Sequence, residues 1–191
     1  MARQSTFGNM VVSLSVICLV CAAVLGVVYC ITEKPIANAE LAKVNNAIAA
    51  VVPAFDNNPS DDVQVLGDSK VYTATSGGSL VGYAIQVKSS GFGGPLQMMV
   101  GFTPDGTIYN TSIISHSETP GLGAKITDDN IQPRAQVKGK NPGVNNISVS
   151  KDGGEIDAIT ASTITSRAFL KGVNMAYDVF KQISENNEPE Q

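Results

Sequence analysis

The stretch DAITASTITSRA (157–168) sets Thr160, Ser162, Thr163 and Thr165 within six residues, follows them with Ser166, and opens on Asp157. Hydroxyls at a helix start accept from unpaired backbone N–H groups and cap the helix. The same place suits a phosphate, because the exposed N–H groups and the helix dipole both favour an anion. Thus the residues allow a plain helix cap, a held phosphate or a phosphate esterified to one of the hydroxyls. A second stretch, SHSETPGLGAKI (115–126), offers the carboxylate of Glu118 and the hydroxyl of Thr119. In it, Pro120, Gly121, Leu122 and Gly123 let the backbone come close to a ligand, or simply make a connector. A third, GFGG (91–94), has the glycine content of an anion nest but lies between two strand patterns, as a hairpin loop does.

Other chemistries are excluded by what is missing. No GxGxxG follows a strand pattern, and there is no Walker loop. One histidine, His116, rules out a histidine-rich metal centre. The net charge of −4 and pI near 4.9 argue against nucleic acid as a partner. All three cysteines, Cys18, Cys21 and Cys30, fall in one apolar run, so the rest of the chain has no disulfide, iron–sulfur cluster or thiolate zinc site of its own. Cys18 and Cys21 have CxxC spacing, but in an apolar helix cysteine serves as a small hydrophobe.

The elements that must position these stretches follow from periodicity. No charged side chain occurs from Gln4 to Thr32. As a helix, residues 10–31 rise about 33 Å, the thickness of a bilayer core, which predicts an uncleaved transmembrane anchor. Arg3 and the terminal amine precede this span, and Glu33 and Lys34 cancel after it. The positive-inside rule then places residues 1–9 in the cytoplasm and the bulk of the chain outside. Leu41, Val44, Ile48 and Val51 form one helical stripe, with Pro35 near its start and Pro53 as its stop. That makes 32–62 a linker helix and a polar loop.

From Val63 the period becomes two. Strands are predicted at 63–66, 70–75, 80–88, 95–103 and 108–116, separated by glycine-rich turns. Residues 117–145 read as loop and short helix, and short strands are expected at 147–150 and 155–160. A closing helix runs from about Thr163 to Glu185, with Phe169, Val173, Ala176, Tyr177, Phe180 and Ile183 as its apolar stripe. Residues 186–191 are a solvated tail. The fold class is α+β: a single anchoring helix, then a domain at 63–185 of antiparallel strands with packed helices.

The order of these stretches, an apolar anchor, GFGGPL, SETPGLGAKI and DAITASTITS before a terminal helix, resembles the FMN-binding domain family over nearly the whole chain. Its members include the G subunit of the Rnf electron-transport complex and the C subunit of the sodium-translocating NADH:quinone oxidoreductase. The length and short loops look more like the former. The resemblance implies FMN joined by its phosphate to a threonine or serine hydroxyl. The family motif is an acid, two residues, Ser or Thr, Gly, Ala and the modified residue. It falls here on Asp157, Thr160, Ala161, Ser162 and Thr163, so Thr163 is the implied attachment point. Ala161 and Ser162 depart from the family's Gly and Ala, with Ser162 and Thr165 as alternative attachment points.

The resemblance further implies that Phe92, Gly93, Gly94, Gly121, Leu122 and Gly123 cradle the ring. Phe92, Leu122 and Met98 are expected to pack on it, Glu118 and Thr119 to bond its polar edge, and Thr160 and Thr165 to donate to the phosphate. Asp157 is expected to bind a metal or to orient a hydroxyl during attachment, a step the family delegates to a separate flavin transferase; no resident metal is expected. The expected function is an electron-transfer subunit of an ion-translocating ferredoxin:NAD oxidoreductase in the inner membrane. Its partners are the other integral-membrane and redox subunits, the transferase and membrane lipid. The chain is not expected to oxidise NADH alone, since no nicotinamide site is evident. The alternatives are the NADH:quinone relative and a non-catalytic extracytoplasmic ligand-binding module.

Overall fold

The computed structural model describes residues 7–187, in two compact units, 1–42 and 43–191. Arg3, on which the expected orientation rests, and the last four residues of the expected tail lie outside the described residues.

Within the first unit the chain is helical from Phe7 onward, and the helix, α1 (Phe7–Val51), is long and apolar enough to cross a membrane. The sequence suggests two helices meeting near Pro35; the structure has one. A proline removes a single N–H bond and does not end a helix whose flanks are strong helix formers, as the alanine-rich run after Pro35 is. One turn before it, Thr32 Oγ1 donates to the carbonyls of Val28 (2.8 Å) and Tyr29 (3.3 Å).

The second unit is built on a five-stranded antiparallel meander, β1 (Val63–Leu66), β2 (Ser69–Ser76), β3 (Ser79–Ser90), β4 (Pro95–Phe102) and β5 (Ile108–Ser115), in sequential order. The five strands expected between 63 and 116 are all present, and their bounds agree to within two residues. Both faces of the sheet are covered. On one, α3 (Thr163–Asn187) lays Phe169, Val173, Ala176 and Phe180 against Val71, Ile85, Val87, Met98, Val100 and Phe102. Phe180 makes a ring contact with Phe102 at 5.3 Å and with Tyr83 at 5.9 Å. On the other face, Ala47, Ile48, Val51 and Val52 pack on Tyr72, Ala74, Ala84 and Met99. Each large apolar side chain so buried contributes about 1.5–3 kcal/mol. The predicted stripe before Pro53 is thus used only at its end: Ile48 and Val51 are buried, Leu41 is exposed.

Residues 117–145 hold a 3₁₀ turn (Gly123–Thr127) and the short helix α2 (Gln132–Val137). The strands expected at 147–150 and 155–160 do not form. They shrink to one parallel bridge, Val149 to Ile156, around a 3₁₀ turn at Ser150–Asp152. Parallel neighbours need a long crossover, and a connection this short allows no ladder.

A buried cation that sequence reasoning misses, Arg134, fixes this region. Its Nη1 donates to the Thr127 carbonyl (2.7 Å), its Nη2 to the Thr111 carbonyl, and Nη2 pairs with Asp129 at 2.5 Å. Burial pulls its guanidinium below the ordinary arginine value, and Asp129 opposes that shift.

Candidate functional site

The three chemistry-bearing stretches meet at the N-terminus of α3. The GFGG loop closes β3 onto β4, and its Gly91 N–H bonds back to the Gly94 carbonyl (2.9 Å). The segment after β5 carries Glu118, which is 5 % exposed although it is a carboxylate in a loop. Its Oε1 accepts from the Phe92 N–H (2.8 Å) and, at longer range, from the Gly93 N–H (3.4 Å). Its Oε2 accepts from the Thr165 hydroxyl (2.7 Å). One side chain therefore ties the hairpin loop, the connector and the first turn of α3 together. A buried carboxylate needs such donors, since leaving it unpaired is costly.

Two glycines make room for it. A Cβ on Gly91 would lie 2.0 Å from Glu118 Oε1, and one on Gly123 would lie 2.5 Å from Oε2 and 2.7 Å from Thr165 Oγ1.

Above this junction lies a cleft of about 390 Å³ lined by Phe92, Glu118, Thr119, Leu122, Gly123, Ala161, Ser162, Thr163, Ile164 and Thr165. Nine of the residues expected from sequence are among these ten; Ile164 is the addition. Phe92, Leu122 and Ile164 are 68 %, 44 % and 52 % exposed, a cluster of large apolar side chains left facing solvent around one opening. Among the described residues the hydroxyls of Thr119 and Thr163 have no hydrogen-bond partner. The first bond of the α3 ladder runs from the Ser166 N–H to the Ser162 carbonyl (3.0 Å). The N–H groups of Thr163, Ile164 and Thr165 precede it, as the first donors of any helix do.

The remaining expected residues are placed elsewhere. Asp157 is exposed and outside the lining; its Oδ2 accepts from Gln136 Nε2 (2.9 Å), and its own N–H donates to Gln136 Oε1 (2.6 Å). It therefore ties α2 to the segment before α3. Thr160, Gly93, Gly94 and Gly121 also lie outside the lining. Met98 is fully buried beneath α3, where a Cβ on Gly172 would come within 2.8 Å of its sulfur, so it belongs to the core and cannot pack on a ligand in the cleft. Thr165 turns its hydroxyl inward to Glu118 rather than toward a bound anion. Among the described residues no group of three metal-ligating side chains occurs.

Ala161 has φ of +62°, in the left-handed region. A Cβ there costs about 1–2 kcal/mol, and glycine escapes that cost while losing more chain entropy on folding. Ala161→Gly is therefore expected to stabilise the domain by about 0.5–1 kcal/mol, read as a rise of a few degrees in Tm. A fall in Tm would show that the methyl group is held by packing.

Comparison with known proteins agrees with this geometry. A family model described as an FMN-binding domain matches residues 91–178, from the GFGG loop into α3. The G subunit of the ion-translocating oxidoreductase complex of Cereibacter sphaeroides is 34 % identical over 85 % of this chain and 78 % of its own. The chain belongs to this family of G subunits. A second relative, the G subunit of the proton-translocating ferredoxin:NAD(+) oxidoreductase complex of Clostridium ljungdahlii, is 33 % identical over 87 % of each chain. Among solved structures, NqrC of Shewanella oneidensis aligns with a TM-score of 0.50 at 19 % identity, over 73 % of this chain and 71 % of its own. That likeness shows that this chain has the NqrC fold, and no more. All ten residues around the cleft fall inside the matched FMN-binding domain.

Proposed function

We propose that this chain is a membrane-anchored electron carrier that holds FMN covalently on Thr163, within an ion-translocating ferredoxin:NAD oxidoreductase complex. The observation that carries the reading is the placement of an unengaged threonine hydroxyl at a helix N-terminus, on the wall of a cleft rimmed by exposed apolar side chains. The bound group supplies the redox chemistry, through its isoalloxazine ring.

The chain's own residues do the rest. Thr163 Oγ1 would hold the FMN phosphate as a phosphoester, with loss of one water relative to the free compounds, and one negative charge would remain. The N–H groups of the first α3 turn face that charge, an arrangement worth about 0.3–1 kcal/mol. Phe92, Leu122 and Ile164 would cover the faces of a flat apolar ring and shed water in doing so. Glu118 holds the two loops that carry Phe92 and Leu122 at a fixed distance from α3. Covalent attachment keeps the carrier loaded where free FMN is scarce, and a separate flavin transferase performs it. The other redox and membrane subunits of the complex deliver and take the electrons.

The test is acid precipitation followed by ultraviolet illumination of a denaturing gel. A fluorescent band at the size of the chain is expected from cells that make the transferase. Flavin found wholly in the acid supernatant would leave a ligand-binding module with an ordinary helix start at Thr163. The side of the membrane follows from the charges flanking the span: the N-terminus is cytoplasmic and the domain extracytoplasmic. Reporters fused after residue 60 are expected to be active only if they require export. Activity of a cytoplasmic reporter there would reverse the orientation.

A further inference from the structure

The cleft contains one ionisable side chain, and it is negative. Of its ten lining residues only Glu118 is a carboxylate; none is lysine, arginine or histidine. Among the described residues Glu118 has no salt-bridge partner. His116 is close in sequence, but its Nδ1 accepts the backbone N–H of Glu118 (3.2 Å) and does not meet the carboxylate. Both carboxylate oxygens act as acceptors, toward two backbone N–H groups and one hydroxyl. These contacts hold the charge in place without neutralising it.

We propose that Glu118, besides fixing the loops, sets the reduction potential of the flavin low. The inference rests on the reading that FMN occupies this cleft. A fixed negative charge at the wall of a low-dielectric site raises the cost of adding an electron to whatever lies beside it, and no cation in the lining offsets it. At 5 % exposure the charge is poorly screened by solvent or salt. The direction suits a carrier that must pass electrons on rather than retain them. Thr165 has a part in this: its hydroxyl is the one side-chain donor to Glu118 among the described residues, so it moderates the charge.

The test is a spectroelectrochemical titration of the full-length, flavin-loaded chain in detergent, comparing wild type with Glu118→Gln and Thr165→Val. Glutamine preserves shape: its amide oxygen can accept from Phe92 and Gly93, and its NH₂ can face the Thr165 oxygen. The midpoint potential of Glu118→Gln is expected to rise with full flavin occupancy. Thr165→Val, which matches threonine in shape and removes a donor from the carboxylate, is expected to lower it. If Glu118→Gln does not accumulate, the valine variant still decides the matter. An unchanged potential in a fully loaded variant, or a shift opposite to the one stated, overturns the proposal. Absence of flavin from the wild-type chain is a separate result: it removes the covalent FMN reading and this proposal with it, whereas a loaded wild type with unmoved variants removes this proposal alone.

Discussion

Thr163→Ala is expected to abolish the acid-stable flavin fluorescence of the chain while the domain stays folded. The alanine lacks the oxygen that the phosphoester requires, so the expected loss is complete. The structural cost is small by comparison. The Thr163 hydroxyl has no partner among the described residues, and the side chain is only partly buried, so no polar group is stranded. Even the loss of a true capping hydroxyl costs only about 0.5–2 kcal/mol, which a domain stable by about 5–15 kcal/mol survives, and Thr163 makes no such bond among the described residues. Thr163→Ser keeps an oxygen in place and is expected to keep attachment in part. Thr165→Ala separates the two roles: that hydroxyl is committed to Glu118, so its removal weakens the junction by about 1–3 kcal/mol and leaves the attachment oxygen untouched. Wild-type fluorescence from Thr163→Ala would place the linkage elsewhere.

The largest loss of stability is expected far from the cleft, at Gly101. A Cβ there would lie 1.6 Å from the Val51 carbonyl oxygen and 2.5 Å from its carbon. Both sides of that clash are backbone, one in a central strand and one at the end of α1, so neither gives way by a rotamer change. Overpacking of side chains costs about 1–3 kcal/mol, and a clash with backbone exceeds it. Gly101→Ala is expected to cost about 3 kcal/mol or more, which for a domain of this size lowers Tm by about 10 °C. Thermal unfolding of the full chain in detergent, followed by circular dichroism, measures it. A Tm within about 2 °C of wild type would mean that α1 does not end against β4 as described.

These two residues differ in how plainly the sequence announces them. The hydroxyl cluster before α3 is visible because cap chemistry and phosphate chemistry use the same residue types. The strands are visible because apolar and polar residues alternate between glycine turns. Gly101, by contrast, sits inside an apolar strand, MMVGF, and only the approach of Val51 from the other face gives it a purpose. The sheet is covered on both sides by helices from opposite ends of the chain, a contact between distant residues that local periodicity does not encode.

Pro35 misleads for a related reason. Its place near the expected start of the linker helix suggests a boundary, but the helix runs through it, because helix continuity depends on what flanks the proline. At 147–160 the apolar alternation is real, yet the connection is too short to bring two strands alongside each other.

Around the cleft, residue types are legible in the sequence and directions are not. Nine expected residues line it, while Asp157, from the same motif, turns away to Gln136. Glu118, expected to reach toward a ligand, instead has both its oxygens taken up within the chain. Arg134, buried between β5 and the 3₁₀ turn, is invisible in sequence because an isolated arginine in a short polar helix usually lies in solvent. Ala161 is a middle case. A glycine is usual there in the family, and the φ of +62° gives the physical reason. The alanine accepts the strain instead of relieving it.

The central claim is the bond between this chain and FMN. Mass mapping of the wild-type chain, purified from cells that make the transferase, tests it most directly. Cleavage after Lys151 and Arg167 releases the peptide 152–167, which contains every candidate hydroxyl from Thr160 to Ser166. The account predicts that this peptide carries the mass of FMN less one water, with fragmentation placing it on Thr163. An adduct on Ser162 or Thr165, or an unmodified peptide, would contradict it.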